Sequence, residues 1–151
     1  MTKEDKYAAA LREIEIRLER GGNLIADLGN TAAVLKKRLG FFWVGFYFFQ
    51  ENHLVLGPFQ GTPACVFLSL EKGVCATCAQ EKETILVNNV EEFSGHVACD
   101  PNSKSEIVLP LFDGSGSLKG VLDVDSNVVN AFDDVDKVYL EKVAKLIQGC
   151  W

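Results

Sequence analysis

Apolar residues recur at helical spacing at both ends of the chain and run or alternate at strand spacing between them. Tyr7, Leu11, Ile14 and Leu18 fall on one helical stripe, and Thr2 with Asp5 offers a capping box in front of it. Gly21-Gly22 ends that helix. Leu24, Leu28, Ala32, Leu35 and Leu39 form a second stripe that stops at Gly40. Residues 41–49 are apolar, rich in aromatics and too short for a helix, which predicts a central strand. A short return strand is expected at 54–56. Two Gly and two Pro within residues 57–63 then predict irregular chain. Residues 65–70 read as extended, 73–81 as a short helix, and 84–87 and 106–111 as strands, with Pro110 marking an edge or an end. The connection 88–105 between those strands is long enough to suggest a functional loop. Asp113-Gly114-Ser115-Gly116 is a hairpin turn into a strand at 118–125. From Asp133, a capping residue, Val135, Tyr139, Val143 and Ile147 form a third amphipathic helix. Terminal helices around hairpin-linked strands imply an α+β domain with an antiparallel sheet.

The 151 residues suit one core, and 48% hydrophobic against 24% charged residues is the balance of a folding domain. Residues 1–40 carry eight basic and six acidic side chains, and the remainder seven and fifteen, which together give the net charge of -6. An acidic site region argues against nucleic acid as a partner, since that affinity rests on Lys and Arg. No apolar run approaches the roughly 20 residues of a membrane helix, and the charged N-terminus lacks the apolar core of a secretory signal. A cytoplasmic protein is expected, in which five cysteines are thiols, metal ligands or redox groups rather than a disulfide scaffold.

Strand alternation sends Phe42, Val44, Phe46 and Phe48 to a core face and Trp43, Gly45, Tyr47 and Phe49 to the other. Gly45 opens a slot between two aromatics with polar handles, which suits either a small ligand or a bulky neighbouring side chain. In residues 120–126, Leu122 and Val124 face one way and Asp123 and Asp125 the other, and Glu106 could join the two acids from the preceding strand. In a pocket, repulsion would raise one carboxyl pKa, so that a shared proton is available while the remaining charge binds a cation. On an open sheet face the same pair would be solvated. Cys65, Cys75, Cys78 and Cys99 could be read as a zinc tetrad, with Cys75-Ala76-Thr77-Cys78 as a ligand pair. A second C-x-x-C is missing and His53 and His96 complete no standard array, so no metal is assigned. No βαβ pattern supports a thioredoxin-like site either. Cys78 and Cys150, on predicted helices, read as packing thiols. Cys99 stands in the long loop, where Asp100 would disfavour its thiolate and a protonated His96 would favour it.

The motifs W-V-G-F-Y at Trp43 to Tyr47, L-G-P-F-Q-G-T-P-A-C at Leu56 to Cys65, K-G-V-C at Lys72 to Cys75, G-H-V-A-C-D at Gly95 to Asp100, S-E-I-V at Ser105 to Val108 and G-V-L-D-V-D-S at Gly120 to Ser126 carry a resemblance. In this order they make the chain resemble the free methionine-(R)-sulfoxide reductases, single-domain enzymes on the GAF fold. The resemblance covers nearly all of the chain beyond the first helix and implies that residues 1–151 form a single GAF domain. It implies an antiparallel sheet with the N- and C-terminal helices on one face and loops over a pocket on the other. Carried over residue by residue, it makes Cys99 the nucleophile, Cys65 its disulfide partner and Cys75 the family's further cysteine. Trp43 and Tyr47 become aromatic walls, and Glu106, Asp123 and Asp125 the substrate-binding carboxylates. Cys78 and Cys150 have no counterpart role.

The implied reaction is reduction of free L-methionine (R)-S-oxide through a Cys99 sulfenic acid and a disulfide, recycled by thioredoxin or a similar dithiol protein, with no metal or organic cofactor. Three carboxylates offer more negative charge than protonating one oxygen requires, and a free α-ammonium group would use the surplus. The oligomeric state, homodimer included, stays open, as do the roles of Cys75, Cys78 and Cys150. The competing class is a non-catalytic GAF sensor of a nucleotide or small metabolite, for which the cysteine set would be superfluous. A zinc-binding interaction module is the third option.

Overall fold

The computed structural model describes residues 1–97 and 99–151; Ala98, inside the 95–100 motif, lies outside the described residues. Helix α1, Lys3–Glu19, starts at the predicted capping box of Thr2 and Asp5. Helix α2, Leu24–Leu39, is capped by Asn23 and ends on Gly40, whose φ of 71° is the left-handed conformation glycine adopts at no steric cost. Strands β1 (Trp43–Gln50), β2 (His53–Gln60) and β3 (Phe67–Ser69) precede the short helix α3 (Val74–Glu81). Strands β4 (Ile85–Val87), β5 (Ser105–Phe112) and β6 (Leu118–Ser126) follow, and α4 (Asp134–Ile147) begins at a capping box of Asp133 and Asp136. The strands form one sheet in the order β3-β2-β1-β6-β5-β4, with every neighbouring pair antiparallel.

Helices α1, α2 and α4 cover one face of this sheet. Tyr7, Ile14, Leu28, Leu35 and Leu140 bury themselves there against Phe46, Leu109 and Leu122. Each such side chain contributes about 1.5–3 kcal/mol. Asp136 ties α1 to α4, accepting the Tyr7 hydroxyl at 2.5 Å and the Lys3 ammonium at 2.8 Å. The other face carries a second cluster in which Trp43, Tyr47, Val108 and Val121 meet Val74, Cys75 and Cys78 of α3. The terminal helices therefore supply the packing, and the opposite face is left to α3 and the loops.

Several expectations are corrected. Strand β2 runs to Gln60 through Gly57 and Pro58, where irregular chain was expected. Gly45 pairs with Phe59 but Tyr47 with Leu56, so one extra residue bulges out of β2, and a proline at a bulge owes no ladder hydrogen bond. Gly57 leaves room for the Phe48 ring, since a Cβ there would stand 2.7 Å from its Cε2. Of residues 65–70, only Phe67–Ser69 form a strand. Pro110 sits inside β5, beyond Val108, the last β5 residue that β4 pairs, where no donor is needed on that side. Because β1 begins at Trp43, Phe42 misses the core face and packs on the second cluster. Cys150 lies half-buried in a 3-10 turn after α4 rather than on the helix.

Gly120 fixes how closely β1 and β6 approach, because a Cβ there would run into the Tyr47 carbonyl oxygen. Gly120→Ala should therefore cost about 1–3 kcal/mol. The urea midpoint should fall with an unchanged slope, and an unshifted midpoint would show that the strands can part at no cost.

Candidate active site

Register and alternation put the three acids on one face of the sheet. Glu106 of β5 pairs directly with Asp125 of β6, and Asp125 with Trp43 of β1; one step along, Asp123 pairs with Val108 on one side and Gly45 on the other. Glu106, Asp123 and Asp125 are only 6%, 6% and 8% exposed, which rules out the solvated-face reading. They line a cavity of about 200 Å³ together with Trp43, Tyr47 and Cys75.

Two loops close over this floor and meet at the Cys65–Cys99 disulfide, with Cα atoms 5.6 Å apart. The loop after β2 is pinned from below, since the Trp43 indole donates to the Thr62 carbonyl at 2.9 Å and the Tyr47 hydroxyl to the Cys65 carbonyl at 3.1 Å. The 88–105 loop is pinned to it by the Thr62 hydroxyl, which donates to Asp100 at 2.7 Å; Asp100 also accepts the Asn102 amide. These bonds hold the Asp100 carboxyl below the usual carboxylate range, so a negative charge persists beside Cys99. Burial lowers the pKa of His96, another lining residue, which weakens the case for a protonated histidine there.

Burial is the largest influence on every group of the floor. It pushes Glu106, Asp123 and Asp125 well above the usual carboxylate range, and charge repulsion among the three pushes in the same direction. Among the described residues no ion pair reaches them. Asp123 Oδ1 is buried with no hydrogen-bond partner. Both causes favour the protonated form of the cluster, the form that can give a proton. Cys75 Sγ lies 4.0 Å from Glu106 Oε2, and burial with the neighbouring acids holds its thiol protonated. Burial raises Cys78 and Cys150 as well.

The Gly45 slot is filled by the protein itself. Phe59 lies opposite Gly45 and occupies the space a Cβ would need, stacking on Trp43 with centroids 5.4 Å apart, while Trp43 stacks on Tyr47 at 6.2 Å. The aromatic wall is thus a three-ring stack. Sequence reading missed Phe59 and Thr62. The bulge that turns Phe59 onto Gly45 has no local signature beyond Gly57-Pro58, and Thr62 acts only through the distant Asp100.

The GAF domain family matches residues 28–148 of the chain. The chain is 49% identical to GAF domain-containing protein A of Dictyostelium discoideum over 98% of its own length and 94% of that protein's. It is 44% identical to a free methionine-R-sulfoxide reductase of Saccharomyces cerevisiae, over 97% of this chain and 86% of the yeast protein. Its fold is similar to that of a free methionine-R-sulfoxide reductase from Neisseria meningitidis solved with its substrate. The TM-score is 0.94 at 41% identity, covering 98% of this chain and 89% of that one.

The raised carboxyls make a pH prediction. A folded-state pKa above the unfolded value means the native state binds more protons, so stability is lost as pH rises from the ordinary carboxylate range through the raised one. Asp123→Asn removes one such group and the unpaired Oδ1 charge. The variant should melt higher than the parent at about pH 8 and lose less stability between about pH 5 and about pH 8, an effect on the order of 1–3 kcal/mol. Parallel melting curves for the two proteins across that range would contradict it.

Proposed function

Since the chain belongs to the free methionine-R-sulfoxide reductase family of GAF-domain proteins, we propose that residues 1–151 act as one GAF domain reducing free L-methionine (R)-S-oxide to methionine. The observation that carries the reading is a disulfide set over a pocket of buried, proton-holding carboxyls. In the reduced enzyme Cys99 is the nucleophile. Its thiolate attacks the sulfoxide sulfur while a proton from the Glu106, Asp123 and Asp125 cluster goes to the oxygen, which makes the sulfur a better electrophile. With a second proton the oxygen leaves as water, so the methionine sulfur is held on Cys99 Sγ as a sulfonium. A water then attacks Cys99 Sγ, the S–S bond breaks with its electron pair going to methionine, and Cys99 is left as a sulfenic acid.

Cys65 then condenses with that group, releasing water and forming the Cys65–Cys99 bond, which protects Cys99 from irreversible oxidation. A dithiol protein of the thioredoxin kind returns both thiols and leaves with its own disulfide. Cys75 is a poor first nucleophile, because its protonated thiol lacks the reactive form. It is the further cysteine, available to a second exchange with Cys65. Trp43 and Tyr47 flank the methyl and methylene groups, and the cytoplasm is the compartment that supplies the reductant.

The same carboxyls select the free amino acid. One protonates the oxygen, and charge on the others pairs with the α-ammonium group, which a residue within a protein lacks.

Single-turnover assays separate the roles. Cys99→Ser should release no methionine above background, whereas Cys65→Ser should release about one methionine per chain and then stall with thioredoxin and NADPH. Near-normal release by Cys99→Ser would move the nucleophile elsewhere in the pocket. A parent chain that binds methionine sulfoxide without consuming it would be a sensor.

Substrate recognition is tested with separated sulfoxide epimers, free and with both backbone ends blocked. The free R form should be used and the blocked R form rejected. Asp125→Asn should lower kcat/KM for the free form by about 30-fold or more, the scale of losing one partner of a buried charge pair. Equal rates on free and blocked R forms would refute the role given to the ammonium group.

A further inference from the structure

The pocket floor also has the makings of a metal site that differs from the tetrad weighed in the sequence. Cys65 and Cys99 are joined to each other, and the Cys78 side chain is fully buried in the apolar cluster under α3. Cys75, Glu106 and Asp123 remain. One donor atom from each lies within 4.8 Å of the other two, and all three residues are buried. Around a tetrahedral zinc ion, bonds of about 2.0 Å to oxygen and about 2.3 Å to sulfur put neighbouring donors about 3.5 Å apart. Cys75 Sγ and Glu106 Oε2, at 4.0 Å, are close to that separation already. A second observation points to a ligand at the same place: Asp123 Oδ1 is buried without a partner on a side chain 94% removed from solvent.

We infer that this pocket binds a divalent cation of borderline softness, with Zn²⁺ as the type, on Cys75 Sγ and one oxygen each of Glu106 and Asp123. The fourth position opens to the cavity. A thiolate among the donors favours zinc over magnesium or calcium, which take oxygen ligands. On binding, the Cys75 proton and any carboxyl proton displaced by the metal pass to solvent. The cation occupies the oxygens offered to the substrate, so metal and methionine sulfoxide exclude each other and a loaded pocket is an inhibited one. This exclusion rests on the proposed function; the binding itself does not.

The test uses the oxidised protein, whose Cys65–Cys99 bond removes those two sulfurs as ligands. Cobalt(II) titrated without oxygen should bind one ion per chain, produce a thiolate-to-cobalt charge-transfer band, and be displaced by zinc. Cys75→Ser should abolish the band, Cys78→Ser should keep it, and Asp123→Asn should weaken binding at least about tenfold. Circular dichroism establishes that each variant is folded, and an unfolded Asp123→Asn is replaced by Glu106→Gln. Absence of stoichiometric uptake by the folded parent would overturn the site, as would a band that survives Cys75→Ser or disappears in Cys78→Ser. Free methionine (R)-sulfoxide added to the cobalt form of a Cys65→Ser/Cys99→Ser double variant, which has no bond across the pocket mouth and cannot turn over, should raise the apparent metal Kd at least about tenfold. Tight cobalt binding indifferent to the sulfoxide would overturn the exclusion and leave the reductase reading to be judged by turnover alone.

Discussion

Burying three acids on one sheet face, with no base paired to them among the described residues, is the constraint that organises this protein. An isolated charge taken from water costs several kcal/mol even after relaxation, and three side by side repel one another. The cluster answers by holding protons. That choice propagates outward: Cys75, touching the same acids, stays a thiol, and Tyr47 is held as a neutral phenol able to donate to the Cys65 carbonyl. The floor thus favours its protonated forms, and the disulfide above it is formed by cysteines on the loops.

Such a floor opposes folding, and the opposite face offsets it. The side chains that α1, α2 and α4 bury against β1, β5 and β6 form a continuous apolar layer with capped helix ends. The division of labour follows from strand alternation alone. Each of β1, β5 and β6 sends Val44, Ile107 and Val124 into that layer and Trp43, Glu106 and Asp125 into the pocket. The pocket is therefore built on strands, while the two sulfurs of the disulfide sit on the loops above them.

The helices, the antiparallel sheet and the facing of Asp123 with Asp125 were legible in the sequence because periodicity and capping are local signals. Glu106 could be joined to them because one strand pairing suffices. What stayed hidden depends on register between distant segments. The bulge opposite Phe46 lengthens β2 and delivers Phe59 to Gly45, so a slot that suited a ligand is filled by a ring. Thr62 reads as a polar residue between Gly61 and Pro63 and becomes a clamp only when Asp100 is brought to it. Whether two aspartates are solvated or buried is likewise settled by what covers the face, here α3 and two loops that give a weak pattern of their own.

The account stands on the protons that Glu106, Asp123 and Asp125 retain because they are buried together. Carbon-13 NMR of the side-chain carboxyls, assigned by single amide substitutions, reads each group's protonation directly. In the oxidised, ligand-free protein at about pH 7, at least one of the three should give the signal of a neutral acid and titrate above neutrality. Three carboxyls titrating in the ordinary range near pH 4 would contradict it.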